Sequence, residues 1–329
     1  MKSKNINYFF PHEGYKLKEE EKTMLKTEKI TEHVFLVSSN TKDHFKCNGI
    51  VITNVEGGKV VMIDCNFQEQ DVLELFEKFG NDVIYFISHV HLDHVQDVHV
   101  YEKHNIPIYC PVPEHEYIKN IEQFMEYNGA VDHGVDKIFL TWLKNSTRFQ
   151  QLKENIPFTP GDVFEFENVV ITTIALPGHS PGHVGFEIIR KYNQGKSRED
   201  VLFVSDIGIE TFGPWYGFKN CNLHEYRRSV DLIETIYNNY DYILLSSHGP
   251  PIREKDRNLF PHVRKKLDWA KDKVKLLLES GKTEYKQFIY KGVYYPVSLM
   301  DGMDNYTRRI FLFFEACSIQ NLLDDLEEN

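Results

Sequence analysis

Four side chains able to bind a metal ion, His89, His91, Asp93 and His94, fall within six consecutive positions. They follow Val83-Ile84-Tyr85-Phe86-Ile87, an apolar run rich in β-branched and aromatic residues that reads as a buried strand. A loop leaving a sheet at that point can aim alternate side chains into one pocket. Imidazole nitrogens with a carboxylate suit Zn²⁺, Fe²⁺ or Mn²⁺, with geometry and availability choosing among them. A lone His pair is more often a surface or core feature; four donors directly behind a buried strand are not. Three further strand-like runs end the same way. Thr172 to Leu176 runs into Pro177-Gly178-His179-Ser180-Pro181-Gly182-His183, Val201 to Ser205 delivers Asp206, and Tyr242 to Ser247 ends at His248. A His or Asp just past a strand end, four times over, points to one site assembled at one sheet edge.

The elements that must position these residues alternate along the chain. Val34 to Val37 opens the strands. Gly49 to Thr53 and Lys59 to Asp64 flank the turn signal Gly57-Gly58. Gln68 to Phe79 has helical spacing and stops at Gly80, which with the Val83 strand makes a βαβ unit. Val95 to His104 reads as a helix, Ile106 to Cys110 as a strand, Glu165 to Ala175 and Val184 to Arg190 as strands, and Leu223 to Tyr237 as a helix. His99, His104 and His115 have no strand end to aim them and read as non-ligands. Asp64 ends its strand much as Asp206 does.

The ordered pattern HxHxDH, then a distant His, an Asp and a last His resembles the metallo-β-lactamase superfamily of metal-dependent hydrolases, over about Ile30 to Pro251. The resemblance implies an α/β fold, a four-layer αββα sandwich, carrying a binuclear centre. His89, His91 and His179 would hold one ion, Asp93, His94 and His248 the other, and Asp206 would bridge. The two divalent ions are expected to be zinc, with iron or manganese as the other candidates. Asp93 would also orient the nucleophile or carry its proton. The acid at Asp64 would support a ligating His, and a helix cap or turn role is the competing reading. His183 reads as a structural member of the turn. A diiron redox enzyme on this fold would be expected to carry Glu in place of His91. A mononuclear iron dioxygenase needs only a His-His-Asp subset and stays open.

The whole-chain properties bound the partners. A net charge of −11 over 329 residues argues against unspecific binding to nucleic acid or anionic membrane. Five cysteines, odd in number and without CxxC spacing, read as reduced thiols. With no apolar run long enough to cross a bilayer and no signal-peptide core at the start, a cytoplasmic protein without membrane contact is expected.

Residues 1–28 read as a charged N-terminal extension and 29–252 as the catalytic domain. Within that domain, 114–155 form an insertion of two amphipathic helices, either a lid over the site or a contact with a second copy in a homodimer. In the aromatic, Gly-rich loop Thr211 to Asn220, Tyr216 is the candidate for substrate contact, with packing of Trp215, Tyr216 and Phe218 at a domain interface as the competing reading. Residues 253–329 form a helical tail, with helices over Phe260 to Ser280, Thr283 to Tyr290 and Tyr306 to Leu326. The tail resembles the small winged-helix-like tail of some relatives, including members that act on RNA. The expected substrate is a small ester, lactone or thioester. The alternative, a nuclease acting on RNA or DNA, rests on Arg253 to Lys275, where nine basic residues meet four acids.

Overall fold

The computed structural model describes residues 25–39, 46–191, 200–282, 287–289, 291–301, 303 and 305–327. Strand β1 (Leu25–Lys29) pairs antiparallel with β2 (Val34–Ser39), β2 with β3 (Gly49–Ile52), and β3 with β4 (Val60–Ile63). The chain then crosses over through helix α1 (Glu69–Phe79), so that β5 (Val83–Phe86) lies parallel to β4. Two short helices, α2 (Leu92–Val95) and α3 (His99–Lys103), lead to β6 (Ile108–Pro111), parallel to β5. After the insertion helices α4 (Ile121–Tyr127) and α5 (Asp136–Ser146), β7 (Ile156–Phe158) closes this seven-stranded sheet.

The second sheet has five strands. Strands β8 (Val163–Glu165), β9 (Val169–Ala175), β10 (Val184–Arg190) and β11 (Asp200–Phe203) pair antiparallel in sequence. Helix α6 (Leu223–Asn239) then returns the chain to β12 (Tyr242–Leu245), parallel to β11. The tail follows as α7 (Leu259–Glu279), α8 (Val297–Asp301) and α9 (Asn305–Glu327).

Period-two alternation sorts the strand residues between two apolar layers. Ile50, Ile63 and Phe86 of the first sheet meet Ile171, Phe186 and Phe203 of the second in one core cluster. Their neighbours Val51, Met62 and Tyr85 face outward into the other cluster, with Val72 and Leu75 of α1. Leu202 and Leu244 do the same beneath Val230 and Ile233 of α6. Two sheets face to face with helices outside give the expected αββα arrangement. It carries the site because the strands β4, β5, β11 and β12 all stop at the same edge.

Several features differ from the sequence reading; strand β7 has no counterpart in it, and the strand read over Glu165 to Ala175 takes in the end of β8 and all of β9. Residues 25–28, assigned to the N-terminal extension, belong to β1, an edge strand whose mixed charge reflects a half-exposed position. The helix read over Val95 to His104 is two helices with turn residues 96–98 between them. Helix α8 has no counterpart in the sequence reading. The helix expected over Thr283 to Tyr290 lies largely outside the described residues, as do residues 1–24 of the extension.

The tail is continuous with the rest in packing. Phe313 and Phe314 of α9 join the same apolar cluster as the insertion's Phe139 and Trp142. Buried Asp325 takes Arg227 of α6 at 2.7 Å and Lys271 of α7 at 2.8 Å. Among the described residues the tail is helical, and no helix is long and apolar enough to cross a membrane. All five cysteines are buried, and none forms a disulfide.

Candidate metal centre

Each strand end delivers its residues by a local device. Asp64 and Ser205, the residues just past β4 and β11, have φ of 50° and 47°, left-handed values that cost a non-glycine residue about 1–3 kcal/mol. These turns aim Asp64 beneath His94 and Asp206 into the site. At the Pro177-Gly178-His179 turn, Gly178 has φ 123°, and a Cβ there would lie 2.2 Å from the Tyr226 backbone nitrogen. Only glycine lets this turn sit so close to α6. The turn is fixed again where His179 Nδ1 donates to the Trp215 carbonyl at 2.8 Å and Cys221 Sγ donates to the His179 carbonyl at 3.0 Å.

The seven side chains named as ligands converge. His89, His91 and His179 bring donor atoms within 4.8 Å of one another, and so do Asp93, His94, Asp206 and His248. His89 Nε2 lies 3.1 Å from His179 Nε2. Asp206 faces both sets: Oδ2 is 3.5 Å from His179 Nε2 and 3.3 Å from His248 Nε2, while Oδ1 is 3.5 Å from His94 Nε2. Asp93 Oδ2 lies 3.2 Å from His248 Nε2.

Hydrogen bonds behind the ligands set which nitrogen is free. The Trp215 carbonyl can only accept, so His179 carries its proton on Nδ1 and presents a bare lone pair at Nε2. Asp64, fully buried, accepts from the Ser88 backbone N–H at 2.8 Å, and its other oxygen lies 2.9 Å from His94 Nδ1 as an ion-pair partner. His183 Nδ1 donates to the Leu176 carbonyl and its Nε2 accepts from the Asp206 backbone N–H. It therefore braces Asp206, as its structural reading expected. Tyr226 Oη donates to the Asp206 carbonyl on the other side.

Beneath the site, Ser88, Ser205 and Ser247 each precede a ligand. Their hydroxyls form one buried group, with Oγ–Oγ distances of 2.8 Å for Ser88–Ser205 and 3.2 Å for Ser205–Ser247. The Ser-His, Ser-Asp and Ser-His pairs stand in the sequence and were the available signal for this hub.

Electrostatics divide the site. Burial, reinforced by neighbouring imidazoles, holds His89 well below its usual pKa; burial above all does the same to His179 and brings His91 down to about 3. Burial also acts against a charge on His94, but Cys47, Asp64, Asp93 and Asp206 outweigh it and hold the group well above its usual value. His248 is likewise raised, because Asp206 and Asp93 overcome its desolvation. Asp206 is desolvated too, yet His248 and His94 keep its carboxyl well below the usual range.

These residues fit a divalent ion. His91 Nε2, His94 Nε2 and Asp206 Oδ1 are buried and have no hydrogen-bond partner. Leaving a buried polar atom unsatisfied costs about 1–3 kcal/mol. Three such atoms converging with further lone pairs form a donor set that a cation would satisfy, and nitrogen with carboxylate oxygen suits zinc, iron or manganese.

Tyr216 is not part of the site. It is 1% exposed, its ring packs on Tyr294, and its carbonyl accepts from Asn321 of α9. The tail covers this side of the loop, which turns the flanking aromatics inward instead. Trp215 and Phe218 place their rings 5.3 and 5.0 Å from His91. His99, His104 and His115 lie outside the cluster: His99 meets Gln150, His104 meets Phe76 edge-on, and His115 meets the Val112 carbonyl. The sequence reading gave no place to Glu114, a buried acid that carries no local signal and is recognisable only from its distant contacts.

The profile described as the metallo-beta-lactamase superfamily matches residues 43–193, which contain five of the seven ligand positions. The matched part of the chain belongs to that superfamily. Solved structures agree on the fold. A metallo-beta-lactamase family protein from Thermus thermophilus is 18% identical, with a TM-score of 0.65 over 91% of this chain and 95% of its own. A beta-lactamase domain protein from Burkholderia ambifaria is 16% identical, with a TM-score of 0.62 over 90% and 88%. A metallo-beta-lactamase from Pontibacter korlensis is 16% identical, with a TM-score of 0.52 over 74% of this chain and 99% of its own. No curated protein matches the sequence. The first two similarities extend over nine-tenths of this chain, well beyond the profile match.

Proposed function

We propose that this metallo-beta-lactamase superfamily member is a hydrolase that uses two divalent ions, zinc foremost, on a small ester, lactone or thioester. The observation that carries the reading is Asp206: one carboxylate, largely shielded and charged, with an oxygen toward each of two complete ligand sets. When bound, the ions would supply a water acidic enough to attack near neutral pH and a Lewis acid for the substrate carbonyl. His89, His91 and His179 would hold one ion as neutral imidazoles. His94 and His248, with Asp93, would hold the other. Asp93 is 22% exposed and His248 38%, so substrate approaches from their side, and the Asp93 carboxylate is placed to hold or pass a proton. Trp215 and Phe218 make the wall beside His91 apolar, which favours a partly apolar substrate.

The basic run of the tail supports the small-molecule reading over a polyanion. Arg253 meets the Ile30 carbonyl, Lys255 meets Asp241, and Arg264 meets Asp231 and Glu234. Lys266 donates to the Thr211 carbonyl, Lys271 meets Asp325, Lys273 donates to the Gly292 carbonyl, and Lys275 lies near Asp272. Cations committed to their own chain are poorly placed to track phosphates. Assaying the metal-loaded protein against an ester, a lactone, a thioester and a phosphodiester tests the reading. Turnover of a carboxylic substrate is expected. Phosphodiester cleavage alone would replace it with the nuclease, and oxygen consumption with one bound iron would replace it with the dioxygenase.

A further inference from the structure

We propose that Glu114 is the positioning residue for the three-histidine set, an inference that rests on the metal-binding reading above. Glu114 is fully buried just past β6, in the first position of the insertion. Its Oε2 accepts from the Val90 backbone N–H at 2.6 Å, and its Oε1 accepts from the Gly182 backbone N–H and from Tyr127 Oη, both at 2.6 Å. Val90 lies between His89 and His91, and Gly182 lies three residues past His179. One carboxylate therefore ties together the two loops whose histidines meet at 3.1 Å.

The local construction is specific to that task. Among the described residues no Lys or Arg pairs with Glu114, so three donors alone offset the loss of its hydration. A buried carboxylate without a cation is costly, and a residue that only filled space would be apolar. Gly182 is shaped to match, since a Cβ there would lie 2.7 Å from Glu114 Cγ and 2.8 Å from its Cδ. The carboxylate reaches the amide only because that side chain is absent. Tyr127 completes the arrangement by fastening α4 of the insertion to the same oxygen that holds the His179 turn. Among the described residues no single carboxylate ties the second set's loops together in this way: His94 lies against Asp64, and Asp93 is fixed where Asn66 Nδ2 donates to its carbonyl.

The test compares Glu114→Gln, Gly182→Ala and Tyr127→Phe with His91→Ala and His248→Ala, using Zn²⁺ content, chelator competition and the absorption spectrum with Co²⁺. Glu114→Gln keeps the volume but turns an amide N–H toward a backbone N–H. Its affinity for one of two ions should fall by about 10- to 100-fold, the range seen when a group that orients a ligand is lost. Its Co²⁺ spectrum should resemble that of His91→Ala and not that of His248→Ala. Gly182→Ala, which pushes on the carboxylate from the other loop, should repeat this pattern should Glu114→Gln not fold. Tyr127→Phe keeps both backbone bonds and should keep both ions. Wild-type protein holding two ions, with Glu114→Gln holding the same two equally tightly or losing both equally, overturns this proposal alone. Wild-type protein that binds no ion overturns it together with the reading it rests on.

Discussion

The two ligand sets share a carboxylate but are built in opposite ways. His89, His91 and His179 are buried to within a few per cent, uncharged, walled by Trp215 and Phe218, and gripped from behind by parts outside the sheets. The insertion reaches them through Glu114. The tail reaches them through the loop whose Trp215 carbonyl orients His179, since Tyr295 Oη accepts from Trp215 Nε1 and Asn321 donates to the Tyr216 and Phe218 carbonyls. Asp93 and His248, with His94 buried behind them, instead sit among acids at the open side, held by the strand ends themselves through Asp64 and the serine hub. A closed set of neutral imidazoles keeps its geometry whatever arrives. An open set of charged groups is where substrate, water and protons can exchange.

Disrupting the shared member should have the largest effect. Asp206→Ala removes a ligand from both sets and leaves two close dications with less compensating charge. Zn²⁺ content should fall for both ions and hydrolysis should drop to background, whereas His179→Ala should release one ion only. Equal losses in the two variants would contradict a bridging Asp206.

Asp64→Asn probes the open set alone. It removes the charge that lies 2.9 Å from His94 Nδ1, so affinity for one ion should fall by about 10- to 100-fold while the three-histidine set keeps its own. Chelator titration of the variant should show a single weakened step.

The charge difference also predicts opposite responses to pH. His94 and His248 have raised values, so without metal they hold protons at neutral pH, and an ion entering their set must displace them. Affinity there rises with pH up to those raised values and weakens as pH falls. His91, brought down to about 3, is already neutral across the range from about pH 8 to about pH 5. On acidification the open set should empty first, and filling it at neutral pH should release protons measurable in weakly buffered solution. Simultaneous loss of both ions would remove the distinction.

The smallest effect should come from the tail. Lys265 is exposed, so Lys265→Glu should leave hydrolysis of a small ester within about twofold, in keeping with the near-neutrality of most surface changes. Salt-sensitive RNA cleavage that this change abolishes would overturn the small-molecule reading and leave the ligand sets as they are.

The contrast also explains what could be read in advance. The seven converging side chains were legible because each sits just past an apolar run, where residue type and strand end are both local facts. The long helices α1, α6, α7 and α9 were legible within a residue or two because 3.6-residue spacing is local as well. Long-range events were not. Edge strand β1 exists because β2 pairs with it, and its own Leu-Lys-Thr-Glu-Lys reads as solvated chain. Tyr216 drew attention as an aromatic leaving a ligand, but α9, a hundred residues later, decides that Trp215 and Phe218 face the site and Tyr216 faces the tail. Glu114 looks like one acid among many in Pro-Glu-His-Glu until Val90, Tyr127 and Gly182 close around it.

The most direct test of a two-ion centre is metal content measured alongside hydrolysis while ions are withdrawn with a chelator and then returned. About two ions per chain are expected, with activity falling as the open set empties, vanishing when both are gone and recovering on adding Zn²⁺, but not in His91→Ala. A protein that stays fully active with no metal bound would contradict the account.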